Sequence, residues 1–360
     1  MFIRVHLWFH KFIWKMTSLT SHRRKIAAWL LIVAAMIFLM VVLGGTTRLT
    51  RSGLSIVEWR LFEGTLPPLT EAHWQELFEL YQQTPEYQKI NVGMDLAGFE
   101  KIFWLEYLHR LWGRLIFFVA LVPLAWFLWR GRIEKKLIPR MATVPLLVAL
   151  NGVLGWFMVA SGLVDIPRVS PYRLTAHLGL AVAIYAYILW MALNLVSERV
   201  PVNAPPGLRR FGHGVAALVF LMILSGGFVA GTKAGFAFNT FPLMNGRFFP
   251  EGMYAMQPFW TNLFENIATV QFNHRLLAYL LCIVIPLFWW RVMRADVSYR
   301  ARRAAQLLLA WLAVQVALGI ATLVYIVPVS LGALHQAGAL VLFSLALYSL
   351  HTLRTPRGVT

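Results

Sequence analysis

The chain has 360 residues, of which 59% are hydrophobic and only 13% charged, and it carries a net charge of +18. A soluble domain has about a quarter of its residues charged, so this composition excludes a single water-soluble core and requires lipid as the solvent for much of the surface. The only cysteine, Cys282, excludes an intrachain disulfide.

The first 25 residues are basic, free of acids and rich in aromatics, which predicts an interfacial helix on the membrane surface. A transit peptide is the competing reading. Eight apolar stretches then reach the roughly 20 residues needed to cross a bilayer. They lie near 26–45, 105–129, 141–163, 174–196, 211–231, 270–290, 304–327 and 331–352. Between the first two, Ala72, Trp74, Leu77, Phe78 and Tyr81 alternate at helical spacing with Glu71, Gln75, Glu76 and Glu79. This predicts a short amphipathic helix from Thr70 to Tyr81 over the mouth of the first half, with Thr70 as its N-cap. Pro201, Pro205, Pro206 and Gly207 mark a linker midway along the chain.

Arg23, Arg24 and Lys25 precede the first stretch and place the N-terminus in the cytoplasm. The cytoplasmic segments are then 1–25, 130–140, 197–210, 291–303 and the tail after 352. They hold 21 of the 33 Lys/Arg and three of the 15 acids, and elsewhere 12 basic residues are matched by 12 acidic ones. The excess charge is topology, and nucleic-acid binding is rejected.

An internal repeat emerges when the halves are overlaid. Gly44-Gly45, closing the first stretch, matches Gly226-Gly227. Thr50-Arg51-x-Gly53 matches Thr232-Lys233-x-Gly235. Glu106-Tyr107-Leu108-His109-Arg110 matches Gln271-Phe272-Asn273-His274-Arg275, Leu154-Gly155 matches Leu318-Gly319, and His177 matches His335. The expected fold is an all-α integral membrane protein of eight transmembrane helices in two pseudo-repeated four-helix bundles. Its parts are a basic arm at 1–25, a first half at 26–196, a linker at 197–210, a second half at 211–352 and a tail at 353–360.

Six of the ten histidines lie in the N-terminal arm, at cytoplasmic ends or in the outer loop, and need no special role. His109, His177, His274 and His335 differ: each stands in the first turns of an even-numbered span, so all four share one depth towards the outer face. Ionisable residues inside spans are costly and mark function. Zinc collects three or four ligands, whereas haem needs only axial ones inside an apolar slot. Two histidines per half therefore point to two haem sites. Arg48, Arg51, Arg110, Lys233 and Arg275 are candidate partners for haem propionates. Glu106 precedes His109 by three residues and shares its helix face, whereas the second half has the neutral Gln271 there. This asymmetry predicts chemistry in the first half and a supporting haem in the second.

The motifs Gly44-Gly45-Thr46-Thr47-Arg48-Leu49-Thr50, Glu106-Tyr107-Leu108-His109-Arg110, Phe238-Asn239-Thr240-Phe241-Pro242-Leu243-Met244-Asn245-Gly246 and Phe272-Asn273-His274-Arg275, with His177 and His335, resemble the haem A synthase family. The resemblance runs from Ile26 to about His351 and is to the cysteine-free type of many proteobacteria and of mitochondria. It implies oxidation of the C8 methyl of haem O to a formyl group, giving haem A for terminal oxidases. It further implies Glu106 as the essential acid, substrate haem near His109 and His177, and a haem b ligated through iron by His274 and His335. The implied setting is a bacterial inner (plasma) membrane with both termini cytoplasmic and the haem sites towards the outer face. Implied partners are haem O as substrate, haem O synthase, cytochrome oxidase assembly factors and lipid, with room for a homo-oligomer. The competing classes are a two-haem cytochrome b exchanging electrons with quinone, and a transporter built of parallel repeats.

Overall fold

A computed structural model describes residues 2–59, 63–163, 167–196 and 204–354, with side chains from residue 21 onward. The predicted linker at 197–210 and tail at 353–360 fall partly outside these residues. The described residues form ten α-helices and no strand: α1 (Phe2–Leu49), α2 (Glu71–Gln82), α3 (Pro85–Lys89), α4 (Leu96–Trp129), α5 (Ile138–Ala160), α6 (Pro171–Val196), α7 (Pro206–Thr232), α8 (Ile267–Arg294), α9 (Tyr299–Val324) and α10 (Val329–Thr352). All but α2 and α3 are long and apolar enough to cross a membrane, giving the eight spans expected.

Each start has a local cause. Asp95 Oδ1 accepts from Gly98 N at 2.8 Å ahead of α4, Asn266 Oδ1 from Thr269 N at 3.0 Å ahead of α8, and Ser298 Oγ from Ala301 N at 3.2 Å ahead of α9. Pro171 and Pro206 open α6 and α7. Two ends differ from expectation. α1 runs unbroken from Phe2 past Gly44-Gly45 to Leu49, beyond the expected end of the first apolar stretch. α4 begins nine residues ahead of the apolar stretch, because its first turns pack against the amphipathic helix α2 instead of entering lipid. Trp74 meets Phe103 edge-on at 4.9 Å, and Tyr81 stacks on Phe99 at 5.2 Å. Thr70 caps α2 by accepting from His73 N, as its half capping box suggests.

The helices pack as two closed rings. α1, α4, α5 and α6 touch in sequence and close α6 on α1, and α7, α8, α9 and α10 do the same. Each ring has its own apolar core, one around Leu30, Val33, Ile184 and Ile188, the other around Ile285, Phe288, Leu308 and Leu340. α1 and α6 form the seam with α7 and α10. Lipid offers no hydrophobic drive for helices to associate, so small residues and polar bonds must do it. Gly45 makes room for Gln336, whose Nε2 donates to Val41 O at 2.9 Å, and Gly227 makes room for Thr175. Tyr185 and Ser344 join the rings by a 2.7 Å hydroxyl bond. The long segments between α1 and α4 and between α7 and α8 cover one end of both rings, termed here the loop face.

Candidate functional site

α4, α6, α8 and α10 all begin at the loop face, and each carries one of the four histidines in its nearer half. His109 lies within electrostatic range of His177, and His274 of His335, so the imidazoles form one pair in each ring. His109 stands more than three turns into its helix, further than expected, because α4 starts early. Each imidazole rests on a glycine. A Cβ added at Gly44, Gly155 or Gly319 would stand 2.9 Å from Cε1 of His109, His177 or His335, and one at Gly226 3.4 Å from that of His274. The glycines of the sequence matches are therefore the surfaces on which the histidine rings lie.

The Nδ1 atoms are held from behind. His177 Nδ1 lies 3.1 Å from the Asn151 carbonyl, which can only accept, so Nδ1 carries the proton and Nε2 keeps its lone pair. His274 Nδ1 lies 3.2 Å from Ser225 Oγ, and His335 Nδ1 lies 3.1 Å from the Gln315 amide. Among the described residues there is no cluster of three or more His, Cys, Asp or Glu suited to a metal ion. Paired imidazoles with oriented rings and apolar surroundings fit the axial ligation of a haem.

Glu106 is buried and fully engaged. Oε2 accepts from Ser55 N at 2.7 Å, Ser55 Oγ at 2.8 Å and Ile56 N at 2.9 Å. Oε1 accepts from Arg110 Nη2 at 2.6 Å and Nε at 3.1 Å. Arg110 also bonds Ile56 O at 2.8 Å and lies over the Trp59 ring. The second ring inverts this arrangement. Gln271 Nε2 donates to Ala234 O and Ala237 O, and its Oε1 accepts from Arg275 Nη2 at 3.1 Å. One loop offers backbone N–H groups to an acid, the other carbonyls to an amide. Ser55 and Ile56 were invisible to motif reading, because backbone N–H groups leave no mark on residue identity.

The five propionate candidates separate. Arg110 and Arg275 are occupied in fastening loops, Arg275 to Phe238 O at 2.7 Å and Thr240 O at 2.9 Å. Arg51 and Lys233 both adopt left-handed backbone, with φ of 55° and 60°, just beyond the ends of α1 and α7. Burial, then the charges of Arg51, Arg48 and Arg168, lower the Lys233 ammonium, so these three cations lie within electrostatic range of it. Arg168 joins the cluster without having been singled out in the sequence. Nearby Glu86 is buried; desolvation, with the charge of Glu106 adding, pushes its carboxyl up to about 7. Its hydrogen-bond partner Tyr81 is raised by burial, and Asn91 donates to that phenol at 2.7 Å.

The sequence as a whole matches known proteins. The family described as cytochrome oxidase assembly protein matches residues 27–347. The haem A synthase of Nitrosospira multiformis is 52% identical over 92% of this chain and 94% of its own length. The chain belongs to this family. The haem A synthase of Nitrosomonas eutropha is 48% identical over 91% of this chain and 94% of its own, and that of Arabidopsis thaliana 44% identical over 92% of this chain and 75% of its own. The eight apolar spans agree with a multi-pass membrane protein of haem A synthesis.

Proposed function

We propose that the ring of α1, α4, α5 and α6 takes haem O between His109 and His177 and oxidises it, while the ring of α7 to α10 holds a haem b between His274 and His335. The family reaction is the oxidation of haem O to haem A, and the chain is an oxidoreductase of haem A biosynthesis in a membrane. His274 and His335 would hold the haem b, which would supply one-electron transfer when bound. The equivalence of the rings as repeats, with a first half at 26–196 and a second at 211–352, is supported by the four histidine–glycine contacts. Arg48, Arg51, Arg168 and Lys233 form the group best suited to propionates, since Arg110 and Arg275 are already engaged. The positive-inside rule places the loop face outside the cell membrane and both termini in the cytoplasm. Haem O synthase would then supply the substrate and oxidase assembly factors would receive the product.

The observation that carries the division is the Glu106 clasp. Removing hydrogen from the methyl leaves an electron-poor carbon, to which water adds with loss of a proton. A carboxylate fixed by five donors is a preorganised negative charge for that carbon and an acceptor for that proton. Glu106→Gln, expressed with haem O synthase, should accumulate haem O, with haem A reduced by about 100-fold, the range of a lost acid–base group. Extraction of the haems followed by chromatography and mass measurement decides. Haem A at the parental level would reduce Glu106 to a loop fastener.

A further inference from the structure

Between α2, residues 55–58 and 64–68, and α4 lies a cavity of about 110 Å³ that none of the four histidines lines. Leu77, Leu80, Phe103 and the Tyr107 ring make its walls, and Leu66 stands at its mouth. Arg114 and His73 also line it. Ser55, Ile56 and Arg110, which together bond both oxygens of Glu106, also line it, so it backs directly onto the clasp. The other ring lacks this space. There Phe272 and Arg275, at the motif positions of Tyr107 and Arg110, line a space of about 10 Å³, with Phe248 edge-on to Phe272 at 6.0 Å. Tyr279 stands four residues after Arg275, where Arg114 stands four after Arg110. The cavity therefore accompanies the acid and not the shared architecture.

Its lining describes its occupant. Apolar and aromatic walls suit a flat ring, N–H groups of Arg and His suit oxygen acceptors on that ring, and a position at the end of a span suits a ligand that arrives through lipid. The reaction sets a further condition. Turning a methyl into a formyl group with oxygen from water releases four electrons and four protons, so an acceptor of both is required. We propose that this cavity binds the ring of a membrane quinone, which accepts them two at a time. In the first round R–CH3 + H2O + Q gives R–CH2OH + QH2, and in the second R–CH2OH + Q gives R–CHO + QH2. The methyl carbon is oxidised and the quinone reduced in each round, and the protons end on the quinol oxygens. This inference rests on placing the chemistry in the ring that contains Glu106.

The test uses the purified full-length protein in nanodiscs, illuminated with an azido-substituted ubiquinone analogue and mapped by peptide mass. Label should fall within residues 55–80 and 103–114 and be displaced by decylubiquinone. Leu80→Trp fills the cavity and should abolish labelling while the haem spectrum, which reports folding, stays as in the parent. Labelling that decylubiquinone does not displace, or that survives Leu80→Trp, would overturn the site. With decylubiquinone as sole acceptor under anaerobic conditions, two quinols should form per haem A, and displaceable labelling without quinol formation would overturn the acceptor role. Failure of the underlying reading is separately visible: Glu106→Gln would then make haem A at the parental rate, whatever the labelling shows.

Discussion

An alanine at position 319 would put a methyl group 2.9 Å from the His335 ring, closer than side chains pack, so either α9 or the imidazole must move. If that imidazole ligates haem b, the displacement falls on the iron bond. Gly319→Ala should therefore lose or shift the low-spin haem b spectrum, as His335→Ala and His274→Ala should abolish it. Gly152→Ala, on the matching helix of the other ring with nothing within 4 Å of the added methyl, is the control and should leave the spectrum unchanged. An unaltered spectrum in Gly319→Ala and His335→Ala would remove His335 from the ligand set. The clasp makes a second prediction at this scale. Reading the sequence alone, Glu106→Gln copies Gln271 and disturbs nothing. The structure shows that the copied residue meets the wrong loop: its NH2 must face either Ser55 N and Ile56 N or Arg110, all donors. A mismatched buried donor costs about 1–3 kcal/mol, so Glu106→Gln should melt lower than the parent, and product ratios must be referred to folded protein. Gln271→Glu sets a carboxylate against Ala234 O and Ala237 O and should be the more damaging exchange. Equal melting points for both variants and the parent would show that the loops adapt. The histidines and Glu106 were legible in sequence because polar residues inside spans stand out; their supports were not, because a glycine surface or a loop N–H carries no chemical label.

At the scale of elements, the segment between α1 and α4 is the part that sequence described least well. Hydropathy locates a span where lipid is the solvent, so it missed the first turns of α4, whose Phe99 and Phe103 pack against α2 and its aromatic side chains. Amphipathic spacing did reveal α2, since one of its faces meets water. Glu86, on the short helix α3, had no sequence signal at all; its burial arises from how α3 folds against Tyr81. That burial has a consequence for pH. A carboxyl whose folded value is raised from 4.5 to about 7 binds its proton more tightly when folded. The stability it confers is complete below about 4.5 and is lost as pH rises through 7. Glu86→Gln keeps a neutral group there at every pH. Between pH 5 and 8 the parent should therefore lose stability relative to Glu86→Gln, on the order of 2 kcal/mol at 1.4 kcal/mol per unit. Thermal melting and proteolysis of the segment between α1 and α4, compared across that range, measure it. Parallel pH curves would mean that Arg51 and Lys233 compensate the charge fully.

For the molecule as a whole, the eight spans were legible from composition, and the expectation of two four-helix bundles came from the internal matches and not from hydropathy, because lipid-facing and ring-facing surfaces are alike in polarity. Ile32, Phe118 and Val122 are more than half exposed yet as apolar as the core. Glycine matches hinted at the arrangement only through their spacing. Orientation rests on charge, and it sets which side of the membrane supplies water to the Glu106 site. The connections opposite the loop face hold Arg130, Arg132, Lys135, Lys136 and Arg140 between α4 and α5, and Arg291, Arg294, Arg300, Arg302 and Arg303 around the junction of α8 and α9. On the loop face Arg247 pairs with Glu251 and Arg110 with Glu106. Retention of basic loops in the cytoplasm depends on Lys and Arg near span ends in short connections, and both clusters meet that condition. A cytoplasmic reporter fused after Arg303 should therefore be active, and one fused near Gly246 inactive, with an exported reporter giving the reverse. Neutralising Arg300, Arg302 and Arg303 together should weaken that discrimination, because it removes the signal closest to α9. If the fusion at Gly246 reports cytoplasm, the loop face lies inside, and the acid, the cation cluster and the cavity proposed for a quinone all lie on the cytoplasmic side.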